Sequence, residues 1–261
     1  MDKARKVELL KSLVKTLCVE RDADVPRTED AEELWAYFRA LVNTRPPWPT
    51  DAGFLAAQDE LLQGVIAEVG IHGIDEASAS ATNPQLRLWR GDITTLEVDA
   101  IVNAANSQML GCWVPGHHCI DNAIHTYSGV QLRAECARIM DAQGHEEPTG
   151  AAKITDAYNL PAKHVIHTVG PIANGHPTDL HRDQLASCYR SCLDLAAKHR
   201  LRSIAFCCIS TGVFGFPQRE AAAIAVQTVG DWLSANRSDM TVVFNVFSGK
   251  DKSIYAELLG L

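Results

Sequence analysis

The chain has 261 residues, and its 24 Lys and Arg against 32 Asp and Glu give a formal net charge of −8. Broad binding to DNA or RNA depends on clustered cations, and no run of Lys or Arg is long enough to form such a patch. No stretch approaches the roughly 20 apolar residues of a bilayer span, and no signal-type core follows Met1 to Lys6. We therefore expect a soluble cytoplasmic protein without a nucleic-acid or membrane partner.

Helical spacing of apolar residues dominates the first part of the chain. Three amphipathic helices are predicted within residues 7–66, because Leu, Val and Ile recur there every three or four positions. The proline-rich segment 45–49 separates the second helix from the third, since paired prolines cannot continue a helix. The small, polar segment 75–82 marks a boundary. We therefore predict a helical N-terminal extension over residues 1–80 and a main domain over residues 81–261.

From residue 86 onward, short β-rich runs alternate with helical segments. This alternation predicts an α/β domain in which two layers of helices enclose a mixed, largely parallel sheet. In such folds, ligands bind beyond the carboxyl ends of the strands, so the loops that follow the strands are the places to look for function. The predicted strands are 86–89, 100–102, 165–169, 203–209 and 242–247, and the predicted helices lie at about 120–140, 180–200, 217–236 and 251–259.

Polar residues follow the first two predicted strands. Asp92 lies in a loop after the first, where a carboxylate could accept hydrogen bonds from a base or a ribose, although an Asp in a turn is more often a helix cap. The second strand ends in Asn103 and Asn106, which flank two alanines that would let a ligand approach the backbone. Ordinary turn chemistry is the alternative for both asparagines.

The loop from Ile209 to Pro217 contains two glycines and ends where a helix is predicted to begin. Glycines allow the backbone to curl with several N–H groups facing inward, and a proline fits the first turn of a helix. Such a loop beside a helix N-terminus suits a pyrophosphate without needing Lys or Arg. The alternative is a glycine-rich connector without a ligand.

The segment from Gly111 to Asp121 has a Cys-x4-His-x-Cys spacing made by Cys112, His117 and Cys119. Two thiolates and an imidazole suit zinc, and three protein ligands leave a coordination position open, as in catalytic sites. The alternatives are a closed structural site completed by His118 or a distant cysteine, or no metal at all. A zinc deaminase is excluded, because it requires H-x-E together with P-C-x-x-C and the chain has no P-C-x-x-C.

Together these segments resemble the macrodomain family over residues 86–261. The segment Cys112–Cys119 replaces the glycine-rich run of most macrodomains, which is similar to a zinc-dependent subgroup with a helical N-terminal extension. The resemblance implies a three-layer α/β/α macrodomain. The segments that carry it are Gly91–Thr94, Val98–Asn106, His164–Pro171 and Ser210–Gly215.

The resemblance also implies a function and partners. It implies an ADP-ribose site and a hydrolase that removes mono-ADP-ribose from protein side chains, which we expect to be acidic and ester-linked. The expected partners are ADP-ribose and mono-ADP-ribosylated proteins, and a cognate ADP-ribosyltransferase of the sirtuin type is a candidate. The alternative is a non-catalytic reader that binds ADP-ribose and has a structural zinc loop.

Ligand-binding roles follow from the resemblance, residue by residue. Asp92 would bind the adenine amino group beside the backbone of Ile93, and Phe247 would flank the adenine ring. Asn106 would contact the hydroxyls of the distal ribose, and the ring of Phe214 would pack near that ribose. The backbone that would hold the diphosphate belongs to Ser210, Thr211, Gly212, Val213 and Phe214.

The catalytic roles are implied in the same way. Cys112, His117 and Cys119 would hold one zinc ion, which would act as a Lewis acid on a ribose hydroxyl or on the scissile ester. Asp121 would activate water or a ribose hydroxyl as a general base, with Asn106 beside it. His117 is preferred to His118 as the ligand because the spacing of the subgroup points to it.

Overall fold

Three α-helices open the chain in the computed structural model, which describes residues 1–261. They are α1 (Lys3–Val19), α2 (Ala31–Asn43) and α3 (Ala52–Val69). Each helix begins after an aspartate whose side chain accepts a hydrogen bond from a backbone N–H of the first turn, which stabilises the helix start. The predicted helical N-terminal extension is confirmed.

The rest of the chain forms a twisted sheet of seven strands and a separate two-strand ladder. The strands are β1 (His72–Gly73), β2 (Ser78–Ala79), β3 (Leu86–Arg90), β4 (Leu96–Glu97), β5 (Ala100–Ala105), β6 (Ala152–Asp156), β7 (His164–Val169), β8 (Ser203–Phe206) and β9 (Thr241–Val246). In the sheet the order is β2-β3-β9-β8-β5-β7-β6, with five parallel central strands and an antiparallel strand at each edge. The short strands β1 and β4 pair with each other.

Helices cover both faces of the sheet, which confirms the predicted three-layer α/β fold. They are α4 (Ile120–Ser128), α5 (Val130–Gln143), α6 (Asp179–Lys198), α7 (Gln218–Asn236) and α8 (Gly249–Leu259). Helix α7 packs between α6 and α8. Helix α4 packs against α5 and against α2 and α3 of the N-terminal extension. None of the helices has the combined length and apolar content that crossing a bilayer requires.

Two hydrophobic cores stabilise the protein. The larger core surrounds the sheet, and the smaller one fills the space between α1, α2 and α3. The smaller core reaches the main domain through Val130, which is one of its buried members, and through the partly buried Tyr127, which packs against both cores. The extension therefore has apolar packing of its own, and Ile66 of α3 also contributes to the larger core.

The structure differs from the sequence expectation in four places. The helix predicted at 120–140 is two helices, because Gly129 has a positive φ of 103° and a Cβ there would lie 2.5 Å from Gln58 Nε2. The strand predicted at 203–209 ends at Phe206. Strand β6 was not predicted, since this half-exposed edge strand has no apolar run. Strand β2 pairs with β3, so the sheet begins before the predicted boundary at residue 81.

Replacement of Leu10 tests the core of the extension. Leu10 is fully buried between the three N-terminal helices. The change Leu10→Ala leaves a cavity there, and we expect it to lower the free energy of unfolding by about 2–5 kcal/mol in urea titrations. The control Lys15→Ala, on the exposed side of the same helix, should change it by about 0.5 kcal/mol or less. Equal effects of the two changes would contradict a packed core in the extension.

Candidate functional site

A cavity of about 510 Å³ lies at the carboxyl ends of the central strands, where the parallel arrangement predicts a ligand site. Asn106 follows β5, Cys208 follows β8 and Phe247 follows β9, and all three line the cavity. The loop before α7 and the segment before α4 supply most of the other lining residues. The volume falls within the range of small-molecule sites.

The loop after β8 presents unused hydrogen-bond donors to this cavity. Ser210 and Gly215 both have a φ of 65°, and the N–H of Gly215 donates to the carbonyl of Gly212 at 3.0 Å, which closes a turn. The backbone N–H groups of Gly212, Val213 and Phe214 donate to no protein acceptor. Because these donors lie just before the N-terminus of α7, the loop is suited to binding an anion.

Exposed apolar side chains lie around the same loop. Val213 is 81% exposed and Phe247 is 80% exposed, although both line the cavity. Phe214 also lines it and is half-buried. Exposed apolar groups beside a cavity are typical of a binding surface, and the face of an aromatic ring is suited to stacking on a nucleobase.

Asp92 and Ile93 do not line the cavity. The side chain of Asp92 caps a 3-10 turn, because its Oδ1 accepts hydrogen bonds from the N–H of Thr94 at 3.0 Å and from its hydroxyl at 2.7 Å. Ile93 is buried in the main core. The side chain of Asp92 therefore acts as a cap, and its Oδ2 has no hydrogen-bond partner in the chain. The predicted contact of Asp92 with adenine stays a prediction.

Two thiols and one imidazole meet at the side of the cavity formed by the segment before α4. The Sγ atoms of Cys112 and Cys119 and a ring nitrogen of His117 lie within 4.8 Å of one another, and Cys112 Sγ is 3.5 Å from His117 Nδ1. Ligands of one tetrahedral zinc ion are roughly 3.5–3.8 Å apart, so this donor set fits zinc. His118 lines the cavity but does not belong to the cluster.

The thiol of Cys119 lies where α4 begins. Its Sγ accepts the N–H of Asn122 at 3.4 Å, as a helix cap does. Burial raises the pKa of Cys119 to about 11, so a thiolate at this position needs a nearby positive charge. A divalent cation held by the cluster would supply that charge. Of the six cysteines outside the cluster, five are buried and Cys208 is half-buried.

Asp121 occupies the first turn of α4 and lines the cavity with a largely buried carboxylate. Burial raises the pKa of Asp121 to about 6, against the hydrogen bond that Asn103 Nδ2 donates to its Oδ1 at 2.8 Å. Asn106 lies beside it, with Nδ2 3.5 Å from Asp121 Oδ2 and 3.1 Å from the carbonyl of Gly111. The two residues predicted to be catalytic are therefore neighbours.

A buried network behind Asp121 was not anticipated from the sequence. The amide nitrogen of Asn103 also lies 3.1 Å from His167 Nδ1, and because an amide nitrogen only donates, this ring nitrogen accepts. His167 Nε2 therefore carries the proton and donates to Thr155 Oγ1 at 3.0 Å. Burial lowers the pKa of His167 to about 3, so the ring is neutral. Asn103 and His167 are register partners of β5 and β7, a pairing of polar residues inside buried strands that could have indicated the network.

His125 completes the surroundings of Asp121 without bonding to it. Its Nε2 is 3.6 Å from Asp121 Oδ1, which is too long for a hydrogen bond, and neither ring nitrogen has a partner. Burial lowers the pKa of His125 well below its ordinary value, so this contact is not an ion pair. His125, Cys136 and His167 form a second cluster of ligand-type atoms, but both nitrogens of His167 are already hydrogen-bonded, which favours a core network over a metal site there.

Removal of the Asn103 amide tests this network. The change Asn103→Leu leaves Asp121 Oδ1 and His167 Nδ1 without their donor inside the protein. An unsatisfied buried polar group costs about 1–3 kcal/mol, so we expect the free energy of unfolding in urea to fall by at least that amount. The control Asn236→Ala removes an amide that bonds only within the exposed end of α7 and should have little effect. A stability of Asn103→Leu equal to that of the unchanged protein would contradict the network.

Comparison with known proteins identifies relatives over the whole chain. The Macro domain family matches residues 102–225. The protein-ADP-ribose hydrolase of Treponema medium is 53% identical over 259 residues, which cover 98% of each chain. The Oceanobacillus iheyensis macrodomain with ADP is 44% identical with a TM-score of 0.61, covering 67% of this chain and 90% of that one. The Trypanosoma brucei macrodomain in complex with ADP-ribose is 30% identical with a TM-score of 0.66, covering 85% of this chain and 95% of that one.

Proposed function

The chain belongs to the macrodomain family and is a protein-ADP-ribose hydrolase, and we propose that it removes mono-ADP-ribose from acidic side chains with the help of one zinc ion. The observation that carries the proposal is the content of one cavity. A carboxylate, Asp121, shares it with the cluster of Cys112, His117 and Cys119 and with the unused N–H donors of the segment 212–214. A general base, a Lewis-acid position and an anion site are thus available to one ligand.

Because the chain is acidic, an anionic ligand would need a local binding site. The diphosphate of ADP-ribose would accept hydrogen bonds from the backbone N–H groups of Gly212, Val213 and Phe214 at the start of α7. Backbone donors and the helix dipole bind phosphate without Lys or Arg side chains. The exposed ring of Phe247 would stack on the adenine, and Asp92 would use its free Oδ2 for the adenine amino group.

Asp121 would act on the water that cleaves the bond. In the proposed reaction, water attacks the anomeric carbon of the distal ribose, Asp121 accepts its proton, and the acceptor carboxylate leaves with the bonding electron pair. Zinc, when bound by Cys112, His117 and Cys119, would supply a Lewis acid that polarises an oxygen of the substrate. Asn106 would hold the ribose hydroxyls close to Asp121.

An ester linkage suits a site of this composition. A carboxylate leaving group has a conjugate acid with a pKa of about 4, so it departs without being protonated. One general base is therefore sufficient, and Asp121 is the carboxylate that lies beside Asn106. Similarity to a hydrolase over 98% of the chain favours hydrolysis over the alternative of a non-catalytic reader. A sirtuin-type transferase as the source of the modified protein stays a prediction.

Removal of one thiol tests the role of zinc. We expect Cys119→Ala to lose stoichiometric zinc in elemental analysis and to abolish release of ADP-ribose from a modified acceptor, while circular dichroism shows a folded chain. The control Cys208→Ala removes a cysteine that lines the same cavity outside the cluster and should retain the zinc. Full hydrolysis after verified removal of zinc from the unchanged protein would refute zinc dependence.

Removal of the carboxylate tests the general base. We expect Asp121→Ala to reduce turnover by about 10²–10⁴-fold, because a positioned base contributes that much, while calorimetry shows ADP-ribose binding within a few-fold. The control Asp231→Ala removes an exposed carboxylate of α7 and should leave the rate unchanged. An unaltered rate for Asp121→Ala would remove this residue from the catalytic mechanism.

A further inference from the structure

The N-terminal extension contacts the segment Cys112–Cys119, the proposed metal-binding segment, through a buried amide. Asn43, the last residue of α2, is almost fully buried, and its Oδ1 accepts the backbone N–H of Gly116 at 3.0 Å. Its Nδ2 donates to Thr126 Oγ1 of α4 at 2.9 Å. A buried amide is unfavourable unless both of its ends are hydrogen-bonded, and here one end is satisfied by the chain between Cys112 and His117.

A second side chain of α2 contacts the same segment. Arg39 Nη2 lies 3.3 Å from the carbonyl of His117 and donates to Asn122 Oδ1 at 3.0 Å. Asn122 in turn donates its amide to the carbonyl of Val114 at 3.1 Å and its backbone N–H to the sulfur of Cys119. Arg39 therefore restrains the backbone of one ligand directly and the sulfur of another through one intermediate residue.

The end of α2 also fixes the start of the metal-binding segment. Arg133 of α5 is buried, with its guanidinium 4.3 Å from the centre of the Trp113 ring and its Nε donating to the carbonyl of Leu110. The remaining guanidinium donors bond to carbonyls at and after the C-terminus of α2, where a cation is favoured by the helix dipole. These carbonyls belong to Val42, Asn43 and Arg45.

The extension does not contact the ligand cavity. No residue before Ala104 lines it, so the three helices neither cover a bound nucleotide nor recognise it in this structure. Their polar contacts instead include those to Gly116, to the carbonyl of His117 and to Asn122. Arg133 of α5 links the end of α2 to Leu110 and Trp113. These contacts favour a role of the extension in shaping the proposed metal site over a role as a lid on the cavity.

We propose, on the premise that the proposed function is correct, that the N-terminal extension is a brace that pre-organises the three zinc ligands, with Asn43 and Arg39 as positioning residues. The segment between Cys112 and Cys119 is a loop without a helix or strand, and Gly111 and Gly116 within or beside it have positive φ angles. A free loop would lose conformational entropy when it gathers around an ion. The brace imposes that order on the loop before zinc binds.

A matched pair of buried amides tests the proposal. Gln58 of α3 is also fully buried and crosses the same interface, but it bonds to Val130 and Gln131 of α5 rather than to the metal-binding segment. The affinity for zinc is measured by competition with a chromogenic chelator for Asn43→Ala, Gln58→Ala and the unchanged full chain. We expect Asn43→Ala to raise the zinc dissociation constant about 10-fold or more, as removal of residues that orient metal ligands does. We expect Gln58→Ala to stay within about 3-fold of the unchanged chain, on the same principle.

The outcomes are distinct. Equal zinc dissociation constants for Asn43→Ala and Gln58→Ala would overturn the brace while leaving the zinc hydrolase intact. An unchanged chain that binds no zinc would contradict the proposed function and the brace together. If Asn43→Ala does not fold by circular dichroism, Arg39→Ala takes its place, because Arg39 is only partly buried and bonds to the same segment. An unaltered zinc affinity in folded Arg39→Ala then contradicts the brace.

Discussion

The hydrogen bonds around the N-terminus of α4 are the constraint on which the site depends. This single helix start supplies Cys119 to the cluster of ligand-type atoms and Asp121 to the cavity, two positions apart. The spacing between the proposed zinc ligand and the proposed base therefore follows from helix geometry. Asn122 bonds to the sulfur of Cys119, and Asn103 bonds to the carboxylate of Asp121. A shift of this helix would therefore move both functional groups together.

The net charge of −8 sets a second constraint, because an anionic ligand must bind to an acidic protein. The structure offers backbone N–H groups without protein acceptors before α7, and no Lys or Arg side chain lines the cavity. Arg133, the cation that is buried near the metal-binding segment, is directed at backbone carbonyls and at the Trp113 ring. Under the proposed function, positive charge at the side of the cavity before α4 would come from zinc, and the thiol cluster would then serve both binding and catalysis.

The sequence predicted features that depend on local pattern. Alternating strand and helix segments predicted the sheet, and the Cys-x4-His-x-Cys spacing predicted a cluster that the fold brings together. The features that it did not predict depend on contacts distant in the chain. Asn43 and Gly116 are 73 positions apart, and Asn103 and His167 are 64 apart, so neither pair leaves a periodic pattern. For Asp92 the sequence left a ligand contact and a helix cap as alternatives, and the side chain forms the cap. Zinc dependence, the ester linkage, the transferase partner and the cytoplasmic location stay predictions.

X-ray absorption at the zinc K edge tests the central claim most directly, because it reports the ligands of the ion itself. We expect a shell of two sulfurs at about 2.3 Å, one imidazole nitrogen at about 2.0–2.1 Å and one oxygen at a similar distance. Addition of ADP-ribose should alter the oxygen contribution and leave the two sulfurs and the nitrogen in place. A shell of four protein nitrogens and sulfurs that does not respond to ADP-ribose would show a closed structural site and contradict the account.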